Sequence, residues 1–240
     1  MLPVLVSVSP DLCLTQGYSA VVVERRSIVV VGAGGFGRDT LDVIEDLNVA
    51  ESGRFDIVGV VDHDPSERNL ERLHDRGIRY LGDDETWLRS PNAECFAVGI
   101  GDPRMRKRLT LLYKSSGLNP ATLVHPTVVL GRRTVVGEGS VICAGAVVST
   151  NVQIGESVTI NANATIGHDS RLHAFVSINP GAIVSGEVSI GDRTLIGAGA
   201  VVLEGRIIGS ACVIGAGACV TRDVADGLTV TGIPARSSSL

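Results

Sequence analysis

Aromatic residues are scarce in this chain. Phe, Trp and Tyr make up 3% of the 240 residues, whereas 44% are hydrophobic. A core must therefore be filled by branched aliphatic and small side chains, which favours a regular fold of thin layers. No block of basic residues is present and the net charge is 21 − 26 = −5, so nucleic acid is not an expected partner.

Paired cysteines and long apolar runs are also missing. The five cysteines are an odd number without a C-x-x-C pair, which predicts small buried side chains in a reducing compartment, not disulfides or a zinc site. No apolar stretch reaches the ~20 residues of a membrane helix, and the first residues lack the basic segment of a signal peptide. We therefore expect a cytoplasmic protein without membrane insertion, and we interpret residues 1–26 as a weakly ordered extension.

Residues 27–120 alternate between strand-like and helix-like segments. Ile28–Val31 is a β-branched run typical of a buried strand, and a helical pattern follows it as far as Leu47. Three further strands, one of them around residues 78–82, precede a helix that stops at Gly117. This alternation predicts a small Rossmann-like parallel α/β unit.

The segment GAGGFG fits the G-x-G-x-x-G pattern between the first strand and the first helix. It puts the backbone N–H groups of Gly34, Gly35 and Phe36 at a helix start, where phosphate binds well. An NAD-dependent enzyme would use the same loop, with an acidic residue such as Asp62 for the ribose. Only about four strands fit before residue 120, so at most half a dinucleotide-binding fold is present.

From Val124 onward the period changes to six. An aliphatic residue recurs at every sixth position up to Val220, 17 times in succession, and the fourth residue after each is small or β-branched except at Arg206. This period predicts a hexapeptide β-helix. In proteins of this kind three hexads form one coil, so each residue stacks on the residue three hexads later. At Arg206 we expect a local bulge that turns the side chain outward.

The repeat and five shorter segments together resemble a known family. With GAGGFGRD, GVVDHD, VGIGDPRMRKRL, INANATIGHD and VTGIPAR, the chain resembles the left-handed β-helix acyltransferases that N-acetylate nucleotide sugars or O-acetylate sialic acid. The resemblance implies a nucleotide-sugar-binding domain (27–120) and an acyltransferase domain with a tail (121–240). It implies acetyl transfer from acetyl-CoA to the amine of a nucleotide-linked amino sugar, by a homotrimer in which a neighbour completes the groove. No metal is expected.

The resemblance gives His168 and Asp169 a catalytic role. His168 is the third residue of its hexad, a position that points outward, and the family has a catalytic His followed by an acid at this point. Acetyl transfer to an amine needs a base of near-neutral pKa, and Asp169 would orient and strengthen it. Stacking places Gly186, one coil further on, beside His168. There its N–H would stabilise the oxyanion; the alternative is an ordinary corner glycine.

Further site residues follow from the resemblance alone. Ala198 and Ala216 match positions whose backbone contacts CoA, and Ser177 stands where relatives often carry a second histidine near the acetyl group. Asn161 matches an asparagine of the acceptor side, although a left-handed corner residue would also explain it. For the nucleotide sugar the implied contacts are Gly34, Gly35 and Phe36 at the diphosphate, and Asp62, His63 and Gly101 at the nucleoside and sugar.

Three alternatives stay open at this point. O-acetylation of a sugar hydroxyl would use the same base. A gamma-class carbonic anhydrase has this β-helix and a three-histidine zinc site; His168 and His173 fit two ligands, but Arg132 occupies the position two coils earlier. A non-catalytic nucleotide-sugar-binding protein is the third alternative, and the intact His–Asp pair argues against it.

Overall fold

The structure is a computed structural model that describes residues 25–51 and 53–237. The extension predicted for residues 1–26 therefore lies almost wholly outside the described residues. In the described part of the chain, no helix is both long enough and apolar enough to cross a membrane.

A four-stranded parallel sheet forms the N-terminal unit. Its elements are β1 Arg26–Val31, α1 Gly35–Ala50, β2 Phe55–Val61, α2 Glu67–Asp75, α3 Asp84–Trp87, β3 Cys95–Val98, α4 Pro103–Ser115 and β4 Asn119–Pro120. The strand order is β2-β1-β3-β4. The inner strand β1 is a β-branched run, which suits a sheet buried on both faces. Ile28 and Val30 pack in a cluster with α1, whereas Val29 and Val31 pack in a second cluster with α4.

Two details of this sheet differ from the prediction. The strand expected around residues 78–82 is reduced to one bridge between Tyr80 and Val60. Gly77 and Gly82 flank the segment with φ values of 71° and 97°, so the chain turns at both ends and its backbone bonds to β2 and the residue after it run only from Arg79 to Gly82. The fourth strand is instead β4, which the sequence did not reveal because it is two residues long and contains a proline.

The hexads form a left-handed β-helix, which confirms the predicted fold class. Each hexad gives one two-residue strand that ends on its aliphatic residue, and these 17 strands are β5 to β21. Strands three hexads apart pair in parallel register, as β11 (Thr159–Ile160) does with β14 (Ser177–Ile178). From Ile142 onward the aliphatic residues and, except at Arg206, the fourth residues after them point inward and line a buried core along the axis, whereas Leu130 of an early hexad is 43% exposed.

Each hexad turns a corner at the third residue after its aliphatic residue. Asn151, Asn163 and Asp169 occupy it with φ between 57° and 59°, and glycines are common there too. The glycine that directly follows an aliphatic has another purpose. A Cβ on Gly155 would lie 2.8 Å from the carbonyl carbon of His173 in the next coil, so glycine lets the coils stack closely.

The β-helix has three faces. The covered face consists of β5 Leu123–Val124, β8 Val141–Ile142, β11 Thr159–Ile160, β14 Ser177–Ile178, β17 Leu195–Ile196 and β20 Val213–Ile214, extended by β22 Thr229–Thr231 and β23 Arg236–Ser237. The apolar face consists of β6 Val129–Leu130, β9 Val147–Val148, β12 Thr165–Ile166, β15 Ile183–Val184, β18 Val201–Val202 and β21 Cys219–Val220. The mixed face consists of β7 Val135–Val136, β10 Gln153–Ile154, β13 Arg171–Leu172, β16 Ser189–Ile190 and β19 Ile207–Ile208.

The N-terminal unit packs on the covered face at the first coils of the β-helix. Leu123, Val141 and Cys143 of the β-helix share a hydrophobic cluster with Leu41 and Ile44 of α1. Leu123 and Val141 are at most 1% exposed. The two units predicted as separate domains therefore have a continuous apolar contact, which fixes their relative position.

The cysteines agree with the prediction where the structure describes them. Cys95, Cys143 and Cys212 are buried and free, and Cys219 is half-buried. Burial raises the pKa of the Cys143 thiol to about 12, so it is an inert apolar side chain at neutral pH.

Arg206 interrupts the inward column without a bulge. Its carbonyl accepts from the Ser189 N–H at 3.0 Å, as in a regular coil, so the predicted bulge is wrong. The side chain does turn toward solvent: it is 34% exposed and lies 3.6 Å from Asp223. Its Nε donates to the Glu204 carbonyl at 3.1 Å. The guanidinium therefore avoids the cost of unpaired burial.

Candidate active site

A His–Asp–Asn chain of hydrogen bonds lies on the edge between the apolar and mixed faces. We call this edge, formed by Arg132, Thr150, His168, Gly186 and Glu204, the histidine edge. His168 Nδ1 and Asp169 Oδ2 are 2.8 Å apart, and Asn151 Nδ2 donates to Asp169 Oδ1 at 2.9 Å. Asp169 is the left-handed corner residue of its coil, which turns its carboxylate back toward His168. Asn151 was not predicted, although it lies one coil before Asp169.

These contacts set the protonation of the pair. The hydrogen bond to Asp169 raises the pKa of His168, and the Asp169 charge adds to the effect. The hydrogen bond from Asn151 and then that from His168 lower the pKa of Asp169. The Asp169 carboxylate accepts a hydrogen bond from Nδ1 of His168. Neutral His168 therefore carries its proton on Nδ1, and Nε2 keeps its lone pair. His168 therefore presents a strengthened base at Nε2.

Gly186 lies directly against the His168 ring. A Cβ at this position would be 2.6 Å from both Nε2 and Cε1 of His168, so only glycine leaves the ring in place. Gly186 is not the corner residue of its hexad, since that position is Glu187 with φ 57°. The reading of Gly186 as an ordinary corner glycine is therefore wrong. Its N–H donates to no acceptor within residues 25–51 and 53–237.

The two predicted CoA positions, Ala198 and Ala216, lie on a different edge, between the covered and apolar faces. We call this edge, formed by Ala144, Ala162, Pro180, Ala198 and Ala216, the alanine edge. Ala198 and Ala216 are exposed there. One chain therefore has the predicted base on one edge of the apolar face and the predicted CoA positions on the opposite edge.

Asn161 precedes the alanine edge and faces the N-terminal unit. It is 8% exposed and donates from Nδ2 to the Ile178 carbonyl at 3.2 Å. The left-handed corner residue of this hexad is Asn163 and not Asn161. The interpretation of Asn161 as a corner residue is therefore wrong. Asn161 also lines a cavity of about 220 Å³ together with Asp39, Asp42 and His125.

The glycine-rich loop begins α1 as predicted. Gly34 caps the helix without a side-chain hydrogen bond, and Arg38 makes the first helical bond back to its carbonyl. The N–H groups of the first turn are therefore free of intrahelical partners. A Cβ on Gly37 would overlap the Gly32 carbonyl, so this glycine packs helix on strand. A Cβ on Gly34 or Gly35 would meet nothing within 4 Å, which leaves room for a ligand.

A larger cleft opens at the carboxyl ends of β1, β2 and β3. We call this space of about 630 Å³, which Asp62, His63, Ile100, Arg108 and Leu112 help to line, the α4 cleft. Asp62 also has a structural role, because its Oδ2 accepts from the Ala33 N–H at 2.6 Å. The carboxyl edge of a parallel sheet is the usual ligand position in α/β units.

Comparison with known proteins agrees with this architecture. The PglD N-terminal domain model matches residues 27–111, and the bacterial transferase hexapeptide model, with six repeats, matches residues 187–222. The GDP-perosamine N-acetyltransferase of Escherichia coli O157:H7 is 32% identical over 149 residues. That alignment covers 62% of this chain and 65% of the relative, just under two thirds of its length.

Solved structures match over nearly their whole length. A variant of perosamine N-acetyltransferase from Caulobacter crescentus, in complex with CoA and GDP-perosamine, is 31% identical, with a TM-score of 0.78 over 89% of this chain and 97% of that one. The chain belongs to the hexapeptide-repeat acetyltransferases with a PglD N-terminal domain. A second member, the acetyltransferase domain of PglB from Neisseria gonorrhoeae with acetyl coenzyme A, is 31% identical, with a TM-score of 0.76 over 89% and 100% of the two chains. The family predicted from the motifs is thus confirmed.

Ser177 does not have the position that the family resemblance implied. It is fully buried on the covered face, and its Oγ donates to the Gly101 carbonyl at 2.7 Å. Thr159 Oγ1 donates to Ser177 Oγ at 3.3 Å. The α/β unit therefore covers Ser177, so the predicted contact between Ser177 and the cofactor is wrong for this hexapeptide-repeat acetyltransferase.

The carbonic anhydrase alternative gains no support from this member of the family. Among the described residues, no group of three or more His, Cys, Asp or Glu side chains is arranged to hold a metal ion. His168 lies on the histidine edge, whereas His173 lies beyond β13 on the mixed face. The third histidine that such a zinc site needs is replaced by Arg132.

Proposed function

We propose that the protein transfers the acetyl group of acetyl-CoA to the amine of a nucleotide-linked amino sugar in the cytoplasm. The observation that carries this proposal is the His168–Asp169 pair beside Gly186, in a chain of the hexapeptide-repeat acetyltransferase family. The relative from Caulobacter crescentus was solved with CoA and GDP-perosamine, a pair of ligands that matches the proposed co-substrates.

His168 acts as the general base. Its Nε2 takes the proton of the attacking amine as the nitrogen forms a bond to the thioester carbonyl. Asp169 keeps the proton of the ring on Nδ1 and stabilises the imidazolium that forms, and Asn151 holds Asp169 in place. The Gly186 N–H stabilises the oxyanion of the tetrahedral intermediate, which then expels the CoA thiolate.

The N-terminal unit holds the acceptor. The first turn of α1 at Gly34, Gly35 and Phe36 binds the diphosphate through backbone N–H groups. The nucleoside occupies the α4 cleft, which His63 and Asp62 help to line, beside Gly101. A sugar attached to the second phosphate then extends along α1 toward the alanine edge.

The acidic cavity between α1 and the alanine edge favours an amine over a hydroxyl. Asp39, Asp42 and Asp46 lie on one side of α1 and line it. Asp42 pairs with Arg76 and Asp46 with His125, whereas Asp39 makes no ion pair among the described residues. Burial, and then the charge of Asp42, raises the pKa of Asp39. A cationic ammonium group would relieve this repulsion and pass one proton to Asp39 before the neutral amine attacks, whereas a neutral hydroxyl would do neither. This difference is our reason for preferring N-acetylation.

A homotrimer would complete the site. The covered face is occupied by the chain's own N-terminal unit, whereas the apolar face exposes Val129 at 59%, Val147 at 41% and Ile183 at 44%. Burial of this face against a second copy, in a closed three-fold ring, brings the histidine edge of one chain to the alanine edge of its neighbour. Acetyl-CoA would lie in the groove between them, against Ala198 and Ala216.

A panel of nucleotide-linked amino sugars tests the proposal. Each is mixed with acetyl-CoA, release of free CoA is followed, and the product is then treated with hydroxylamine, which cleaves esters but leaves amides. We expect CoA release with at least one amino sugar and a product that resists hydroxylamine. A product that hydroxylamine cleaves would identify O-acetylation, and binding of both ligands without CoA release would identify a non-catalytic protein.

A further inference from the structure

Arg106 is a buried cation held by carbonyl groups. It is 1% exposed and belongs to α4. Its Nε donates to the Ser157 carbonyl at 2.8 Å, Nη1 to Ile100 and Gly101 at 3.0 and 3.1 Å, and Nη2 to Phe175 and Val176 at 2.8 and 3.1 Å. A guanidinium has five N–H donors, so all of them are used.

These carbonyls come from two different parts of the molecule. Ile100 and Gly101 belong to the loop between β3 and α4, and Ile100 lines the α4 cleft. Ser157 and Phe175 are corner residues of successive coils of the β-helix, with φ values of 50° and 60°. Arg106 therefore joins the wall of the cleft to the scaffold, and the Ser177 hydroxyl supports the same loop at the Gly101 carbonyl.

The packing of the two units against each other does not need a buried charge. The apolar cluster around Leu41, Ile44 and Leu123 already holds them together. Burial lowers the pKa of Arg106 to about 10, and only the charge of Asp102 opposes this effect. A well-packed apolar residue is often as good for stability as a buried ion. The guanidinium adds geometric specificity, because its five N–H donors have fixed directions. They can all be satisfied only when the β3–α4 loop has one position relative to the β-helix.

We propose that Arg106 is a positioning residue that fixes the β3–α4 loop, and with it the nucleotide-linked acceptor, relative to the β-helix. The inference rests on the proposed function. In the proposed trimer the β-helices contact one another, so the position of the α/β unit on its own β-helix sets the distance from its bound amine to the neighbour's His168. A displacement of about 1 Å at a reacting centre costs about 10² in rate.

The test compares two acceptors in Arg106→Met. One acceptor is the nucleotide-linked amino sugar, and the other is the same sugar without its nucleotide, which reaches His168 without using the α4 cleft. For Arg106→Met we expect kcat/KM to fall about 10²-fold with the nucleotide-linked acceptor and to stay within twofold of wild type with the free sugar. Arg104→Met, an exposed arginine of the same helix, is the matched control and should change neither.

Two milder variants keep the test valid if Arg106→Met does not fold. Arg106→Lys retains the charge but loses two of the five donors, so it should recover part of the lost rate. Ser177→Ala removes the second support of Gly101 without leaving a charge unpaired, and should lower only the reaction of the nucleotide-linked acceptor. Equal losses with both acceptors, or no loss in any variant, would overturn the role of Arg106. A wild-type protein that acetylates neither acceptor would overturn the proposed function and this inference with it.

Discussion

The β-helix and the α/β unit differ in whether the residues that stabilise the fold are also residues of the proposed site. In the β-helix, inward columns carry the core and outward edge positions carry His168 and Gly186, so a side chain on an edge is changed without touching the core. In the α/β unit the two roles meet, because Gly37 packs the helix that the glycine-rich loop begins and Arg106 anchors the wall of the cleft. Substitutions on the edges of the β-helix should therefore change activity without changing stability. Substitutions in the α/β unit should change both.

The largest effect is expected on the histidine edge. His168→Ala should lower kcat by about 10²–10⁴, the usual range for a lost general base. CoA affinity and thermal unfolding should stay close to wild type, because the ring lies outside the core. Steady-state kinetics and calorimetry measure both, and His173→Ala, an exposed histidine of the next hexad, is the control. Parallel losses of activity and stability would show that the two roles are not separate on this edge.

Two neighbouring glycines test the coupling in the α/β unit. Gly37→Ala forces a Cβ onto the Gly32 carbonyl and should destabilise the protein by roughly 1–3 kcal/mol, as overpacking does. Gly35→Ala meets nothing within 4 Å, so it should leave unfolding unchanged and weaken only the binding of nucleotide diphosphate. Denaturant unfolding and titration with GDP and UDP separate the two outcomes. Equal stabilities of the two variants would contradict the packing role of Gly37.

A smaller effect is expected at Asp169. Asp169→Asn should lower kcat by about 10-fold, since it weakens the base without removing it. The double variant with His168→Ala should be no slower than His168→Ala alone, because Asp169 then has no base to orient. A double-mutant cycle measures this. Multiplicative losses would assign Asp169 a separate task.

The smallest effect is a displacement of the pH profile. His168 must be neutral to act as a base, and its raised pKa places the acid limb of kcat/KM above the ordinary histidine value. Asp169→Asn removes the cause of that shift, so the limb should move to lower pH. Asn151→Ala keeps the carboxylate and should move the limb less. A limb that moves upward in Asp169→Asn would contradict the assignment of His168 as base.

Much of the β-helix was predictable because equivalent residues of successive hexads make equivalent local contacts. The hexads predicted each strand, and a step of one coil placed Gly186 beside His168; the same step back from Asp169 would have found Asn151. Ser177 was misplaced because its burial depends on how the α/β unit packs, which no period encodes. The one-residue bridge at Tyr80 and the role of Arg106 likewise depend on contacts between distant segments.

In the proposed trimer, one chain supplies the base and its neighbour holds the acceptor. Mixed trimers separate these two contributions: His168→Ala is coexpressed with Gly35→Trp, a variant designed to block the diphosphate loop, and each alone should be inactive. If the site joins two chains, randomly mixed trimers should recover about a quarter of the wild-type activity, the fraction of contacts that pair an intact base with an intact loop. Mixed trimers that remain as inactive as their parents would contradict the claim.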